Sequence, residues 1–214
     1  MYLEDLIEKK WKVNAVNNRG KLYCLMPKIN DHFYLHELCK KIDLSSYGKL
    51  ESTLNIKLLP ELKEFYTHYN GCRLFISSVN IFGIPESESF PLDFVTNDFN
   101  THAQYDLSAE ESKDIVFFGS VGDFDLSYKQ SEINNPKIYL TEKGNKQPVH
   151  IFNSIKDVMV YYFKLLYTEY TDDGYRKHPD ILFEGTPQLA NKFFGYIDWD
   201  TDEKKTENEE NLCK

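Results

Sequence analysis

The sequence predicts an α+β fold in which helices flank a mixed or mostly antiparallel sheet. Aromatic residues make up 15% of the 214 residues, with fifteen Tyr and fifteen Phe, and these residue types favour sheets over a helical bundle. Residues 60–69 and 155–170 each repeat apolar side chains at the three- and four-residue spacing of an amphipathic helix. Between these two segments, several short runs alternate apolar and polar residues, which predicts antiparallel strands.

The first fifty-four residues are predicted to form a helical extension that packs on the core. Tyr2–Val13 reads as an amphipathic helix with Leu3 and Ile7 on its apolar face. Lys21–Met26 is predicted to be a strand, and His32–Lys41 a second short helix.

The segment around residue 60 carries both a start and a stop signal for a helix. Pro60 suits the first turn, because its missing N–H would have no partner inside the helix there. The dipeptide Asn70-Gly71 is predicted to supply the left-handed residue that ends this helix. Arg73–Gly83 then reads as a pair of strands interrupted at Ser77-Ser78.

The second half of the chain is predicted to form a meander followed by one long helix. Ser154 can cap the helix Ile155–Tyr170, since its hydroxyl can accept from a free backbone N–H of the first turn. The four predicted strands are Ile115–Phe118, Phe124–Tyr128, Lys137–Leu140 and Val149–Phe152.

The order of these motifs resembles the SUKH superfamily, the Smi–Knr type of immunity and regulatory domain. The motifs are the helix that ends in Tyr69-Asn70-Gly71, then Ile81-Phe82-Gly83-Ile84, the strand Ile115–Gly119 with its turn Gly122-Asp123, and the Phe152-Asn153-Ser154 step before the last helix. The resemblance covers roughly residues 55–167. It implies three parts: the extension 1–54, a SUKH-like domain over 55–197, and a tail over 198–214 that its acidic composition predicts to be disordered.

The charge pattern indicates a basic partner. The net charge is −9, and residues 86–114 hold eight acidic residues against Lys113 alone. Such a field repels phosphate backbones, so nucleic acid is not an expected partner, whereas a basic protein would be attracted. The chain shows no signal peptide, no apolar run of membrane-spanning length and no C-x-x-C pair, which predicts a cytoplasmic protein without a membrane partner.

One candidate metal site lies on the predicted helix His32–Lys41. His32, His36 and Cys39 fall at positions i, i+4 and i+7, so one helix face could present three ligands that zinc accepts. No fourth ligand lies at a recognisable spacing, and an ordinary helix face is the favoured interpretation. We expect no metal and no cofactor.

A candidate pair of carboxylates follows the strand at Ile115–Phe118. Asp123 and Asp125 could perform acid–base chemistry or hold a divalent ion if they shared one face of a strand. The alternative is a Gly-Asp turn for Asp123, and an open position on an interaction face for Asp125. The chain has no G-x-S-x-G elbow and no phosphate loop, so a hydrolase is the third hypothesis and a protein without enzymatic activity is expected.

The acidic segment is the predicted partner-binding surface, because aromatic residues are interleaved with its carboxylates. The alternative is that these rings, Tyr105 among them, simply fix a long loop to the sheet. The predicted binding residues are Phe94, Asp98, Phe99, Asp106, Glu110, Glu111 and Asp125. The resemblance implies an immunity protein that neutralises a bacterial toxin, with a basic nuclease-type domain as the expected partner; a regulatory scaffold for a cellular protein is the alternative.

Overall fold

A computed structural model describes residues 3, 7, 15–16, 22–25, 34–40, 43, 45–75, 78–84, 105, 107–171 and 177. Within these residues, nine strands form one sheet, and each strand pairs in antiparallel fashion with its neighbour in the sequence. The strands are β1 (Ala15–Val16), β2 (Leu22–Leu25), β3 (Tyr34–Lys40), β4 (Tyr69–Leu74), β5 (Val79–Ile81), β6 (Ile115–Val121), β7 (Phe124–Lys129), β8 (Ile138–Glu142) and β9 (His150–Phe152).

Apart from the helical residues Leu3 and Ile7, the same residues contain four α-helices and one short 3₁₀ helix at Gln130–Glu132. Two of the α-helices were predicted as amphipathic segments, and both pack against the sheet. The helices are α1 (Ser45–Leu54), α2 (Pro60–His68), α3 (Ala109–Asp114) and α4 (Ile155–Glu169). The α+β prediction is therefore confirmed.

One face of the sheet is buried beneath α2 and α4. Side chains of both helices belong to the same apolar cluster as the inward-facing residues of the strands, among them Leu62 of α2, Tyr162 of α4 and Leu126 of β7. Leu3 and Ile7 are helical and fully buried in this cluster, as predicted, and the backbone N–H of Leu3 donates to the Tyr69 hydroxyl. This burial of apolar area is the main source of stability for such a fold.

Two side chains satisfy the free backbone groups at the start of α4. The Ser154 hydroxyl accepts from the N–H of Asp157 at 2.9 Å, which confirms the predicted cap. The Glu61 carboxylate, at the start of α2, accepts from the N–H of Ile155 at 2.7 Å. Glu61 thus links the two helices that cover the sheet, and its negative charge also suits the positive end of the α4 dipole.

Replacing Ser154 by alanine should lower the free energy of unfolding by about 1 kcal/mol, because a free N–H of α4 loses its acceptor. The matched control is Ser52→Ala in α1, where the hydroxyl donates only to the Gly48 carbonyl one turn earlier. That control should change stability by less than about 0.5 kcal/mol. Urea denaturation of both variants measures the difference, and equal losses would show that Ser154 is not a stabilising cap.

The role predicted for Asn70-Gly71 is wrong. The helix α2 ends at His68, and Tyr69 is already extended at φ −138° and ψ 142°, so both residues lie inside β4. The Asn70 side chain instead bonds both backbone groups of Ile84, accepting from its N–H at 2.6 Å and donating to its carbonyl at 2.8 Å. Gly71 is left-handed, at φ +87°, and a side chain there would meet the backbone of Gly83.

The predicted helix His32–Lys41 is also wrong, because residues 34–40 form β3 between β2 and β4. Its burial alternates over the middle of the strand: His36 and Leu38 are buried, whereas Glu37 and Cys39 are partly exposed. In a seven-residue run, the spacing of apolar residues does not distinguish the helical period of about 3.6 residues from the strand period of two. Pairing with both neighbouring strands decides in favour of the strand. The helix α1 has no strong apolar repeat and was not predicted. The predicted domain boundaries remain untested.

Candidate partner-binding surface

The strands β6, β7 and β8 bury polar residues on the face of the sheet opposite α2 and α4. Register pairs Ser120 with Asp125 and Asp125 with Thr141, so these three side chains share that face. Ser127 lies two residues beyond Asp125 and opposite Phe117, so both belong to the same face. We call this surface the polar face; its members are Phe117, Ser120, Asp125, Ser127 and Thr141, and all are buried.

Tyr105 packs directly on the polar face. Its ring stacks on that of Phe117, with centroids 5.0 Å apart and an interplanar angle of 18°. Its hydroxyl donates a hydrogen bond to the Asp125 carboxylate. Both side chains are buried, and burial together with the nearby carboxylate raises the pKa of Tyr105 well above its usual value. Tyr105 therefore keeps its proton and acts as the hydrogen-bond donor.

The helix α3 begins shortly after Tyr105 and is fixed at both ends. At its start, Ser108 and Glu111 form a capping box: the Ser108 hydroxyl accepts from the Glu111 N–H, and the Glu111 carboxylate accepts from the Ser108 N–H. At its end, the Asp114 carboxylate accepts from the backbone N–H and the hydroxyl of Ser131. These contacts hold a helix of six residues that would be unstable alone.

The outer surface of α3 is negatively charged. Glu110 and Glu111 are both exposed to solvent. The hydrogen bond from the Ser108 backbone lowers the pKa of Glu111, with smaller contributions from the Ser108 hydroxyl and from Lys146. Glu111 is therefore a stable carboxylate at neutral pH, held in one orientation by the cap.

The two candidate carboxylates do not form a pair. Asp123 is exposed in the turn between β6 and β7, whereas Asp125 is 8% exposed inside β7 and bonded to Tyr105. The expectation that Asp125 is open to solvent is therefore wrong. The Tyr105 ring packs on the sheet, as the alternative for this residue predicts. Phe94, Asp98, Phe99 and Asp106 lie outside the described residues.

Four members of the polar face were not among the predicted site residues, namely Phe117, Ser120, Ser127 and Thr141. The local pattern is a weak signal, because Ser127 lies between the buried Leu126 and Tyr128, whereas Thr141 is followed by the exposed Glu142. Their common location depends on strand register, and register requires the pairing to be known.

The candidate zinc ligands lose their shared helix face. His36 and Cys39 lie three residues apart in a strand, so their side chains point to opposite sides of the sheet. His36 is 1% exposed beside the ring of Phe75, and its Nδ1 accepts from the Phe75 N–H. His32 lies outside the described residues. Among the residues that the structure describes, no three His, Cys, Asp or Glu side chains are grouped so as to hold a metal ion.

Comparison with known families identifies the domain. The model of the SMI1 / KNR4 family (SUKH-1) matches residues 42–160, more than half of the chain. The chain belongs to the SMI1 / KNR4 family. The matched range contains α2, α3 and the whole polar face, and it confirms the resemblance to the SUKH superfamily. No curated protein matches the chain.

Membership places the protein among SUKH-type immunity and regulatory proteins, a family that is generally non-enzymatic and whose domains generally bind other proteins. Within the described ranges, none of the helices combines the length and the apolar character needed to cross a membrane.

Proposed function

We propose that this SUKH-1 protein is a non-enzymatic cytoplasmic immunity protein that binds and neutralises a basic, nuclease-type toxin domain of bacterial origin. The observation that carries the proposal is the exposed pair Glu110 and Glu111 on α3, held rigidly by contacts at both helix ends. A preorganised surface binds with a smaller entropy cost than a mobile one.

In the proposed mechanism, carboxylates of the immunity protein block the basic active site of the toxin. A nuclease attracts phosphate groups with basic side chains, and carboxylates on an inhibitor can occupy the same positions. Exposed charges at the edge of an interface accelerate association, whereas buried anchors slow dissociation. The proposed surface also includes Phe94 and Phe99 as apolar anchors, and Asp98 and Asp106 as further charges. Removing an anchoring ring should cost about 2 kcal/mol or more of binding free energy.

A regulatory scaffold that binds a cellular protein is the second candidate, because the family includes both roles. The discriminating experiment is co-expression of the tagged full chain with the product of an adjacent gene for a large secreted protein that has a toxic C-terminal domain. Copurification, together with relief of toxicity, supports the immunity role. Continued toxicity without copurification would contradict it.

Neutralising α3 should slow the association of this complex. We expect Glu110→Gln combined with Glu111→Gln to reduce the association rate by about tenfold at low salt and to flatten its salt dependence. Glutamine at position 111 can still accept from the Ser108 N–H, so the capping box and the helix should remain. Surface plasmon resonance at low and high salt, with the toxin domain immobilised, measures both quantities.

The matched control is Glu64→Gln combined with Glu142→Gln, which removes the same charge from exposed positions on α2 and β8. This control should retain at least half of the parental association rate, because neither charge lies on α3 and exposed charges outside the contact are partly screened. If both double variants slow association equally, the partner responds to net charge alone, and α3 is not the docking surface.

A further inference from the structure

The polar face is unusual for a buried layer. Four of the six buried polar or charged residues in the described part of the chain lie on it, namely Ser120, Asp125, Ser127 and Thr141. The opposite face of the same strands is apolar and belongs to the main core, with Leu126 and Leu140 as examples. Burying polar groups gains little free energy, because each one gives up its hydrogen bonds with water. The polar face is therefore easily hydrated when its cover is removed.

The described cover at Asp125 is a neutral hydrogen-bond donor. The Tyr105 hydroxyl donates to the Asp125 carboxylate, and the Tyr105 ring shields it from water. An arginine or lysine side chain would bring a full positive charge to the same carboxylate, and arginine can donate two parallel hydrogen bonds where the tyrosine hydroxyl donates one. Tyr105 is thus a partner that a stronger, basic donor can replace.

The surroundings favour a basic group at this position. The exposed carboxylates of Glu110 and Glu111 follow Tyr105 closely in the chain, on the helix that contacts β6. They would attract a cation toward the polar face before it reaches Asp125. A cationic side chain of the partner and the buried Asp125 carboxylate therefore carry opposite charges.

We propose that Tyr105 is a displaceable cover of the polar face, and that an arginine or lysine side chain of the protein partner takes its place on Asp125 in the complex. This inference rests on the proposed function, because it assigns the contact that a basic partner makes. It also gives Asp125 a binding role that is compatible with its burial in the free protein.

The test uses a synthetic peptide of alternating arginine and glycine as the probe, with the citrulline and glycine peptide as its uncharged control. Isothermal titration calorimetry compares the parent with Tyr105→Phe, which removes the hydroxyl and keeps the ring. We expect Tyr105→Phe to bind the arginine peptide about fivefold more tightly than the parent, because the cover is released. The citrulline peptide should bind neither protein.

The substitution Asp125→Asn tests whether the negative charge of this side chain is needed for binding. In the Tyr105→Phe background, Asp125→Asn should weaken binding of the arginine peptide about tenfold, because the charge is lost. The matched control is Asp123→Asn in the same background, which removes one exposed charge two residues away and should change affinity less than about twofold. Thermal unfolding of each variant shows whether it is folded at the temperature of the titration.

Two results would overturn the inference. Weaker binding by Tyr105→Phe would show that Tyr105 supports the surface instead of covering it. Equal losses for Asp125→Asn and Asp123→Asn would show that the peptide responds to overall acidity. Either result leaves the immunity role intact if the toxin domain still copurifies, so failure of the inference and failure of the proposed function are distinguishable.

Discussion

Alanine at position 119 should lower the free energy of unfolding by about 3 kcal/mol, because the chain has no space for one more carbon there. Gly119 lies in β6 opposite Ile81 of β5, and a Cβ at this position would be 2.5 Å from the Asn80 carbonyl oxygen. That oxygen is part of the backbone, so the clash is relieved only by separating two paired strands. Urea denaturation, monitored by circular dichroism, measures the loss of free energy of unfolding.

The control is the same substitution in α1. Gly48 lies inside the helix, and a Cβ there would meet no atom within 4 Å. Gly48→Ala should therefore raise the free energy of unfolding by about 1 kcal/mol, because alanine is the better helix former. Opposite signs for the two variants are expected. A loss of less than about 1 kcal/mol for Gly119→Ala would contradict the close approach of β5 and β6.

Acid should destabilise the protein strongly through His36. Burial lowers the pKa of the His36 imidazole from 6.5 to about 3 in the folded protein. The unfolded chain therefore binds the proton more readily, and stability falls as the pH falls below 6.5 toward 3. From neutral pH to about pH 4, this single group should remove about 3 kcal/mol of the free energy of unfolding.

The surroundings of His36 explain why it stays neutral. Its Nδ1 accepts from the Phe75 N–H at 3.3 Å, and its ring lies against those of Phe75 and Phe163. A proton on Nδ1 would remove this acceptor and place a charge among aromatic rings, which is costly.

Asparagine at position 36 is the informative variant, since its side-chain oxygen can accept from the Phe75 N–H but does not titrate. His36→Asn should have a lower free energy of unfolding than the parent at pH 7. The difference between the two proteins should shrink by about 3 kcal/mol as the pH falls to 4, because only the parent loses stability through His36. Urea denaturation over this pH range measures the difference in free energy of unfolding. A difference that does not change with pH would show that His36 does not titrate during unfolding.

The sequence was sufficient where one apolar period extends over several turns or where turns have distinctive chemistry. The helix α4 was predicted nearly to its ends because Ser154 marks its start and an apolar stripe continues for four turns. The strands β6 to β9 were predicted because short alternating runs are separated by turn residues such as Asn134-Asn135-Pro136.

The failures occurred where tertiary contacts decide between local alternatives. The run at residues 34–40 fits either period, and pairing with two neighbours makes it β3. Asn70-Gly71 is a common helix terminator, yet here the Asn70 side chain bonds Ile84, just beyond the end of the neighbouring strand β5. The burial of Asp125 depends on Tyr105, twenty residues earlier, and no local pattern indicates that contact.

The sequential order of the nine strands has a consequence for folding. Each strand pairs with the one before it in the chain, so the sheet can grow one strand at a time as the polypeptide emerges from the ribosome. The two described hydrogen bonds that span the most sequence lie at the ends of α4: Ile155 at its start bonds Glu61, and Tyr170 at its end bonds the Phe75 carbonyl. A truncated chain that ends before residue 155 should form a paired sheet whose apolar face is covered by α2 but not by α4, and the addition of α4 should complete the core.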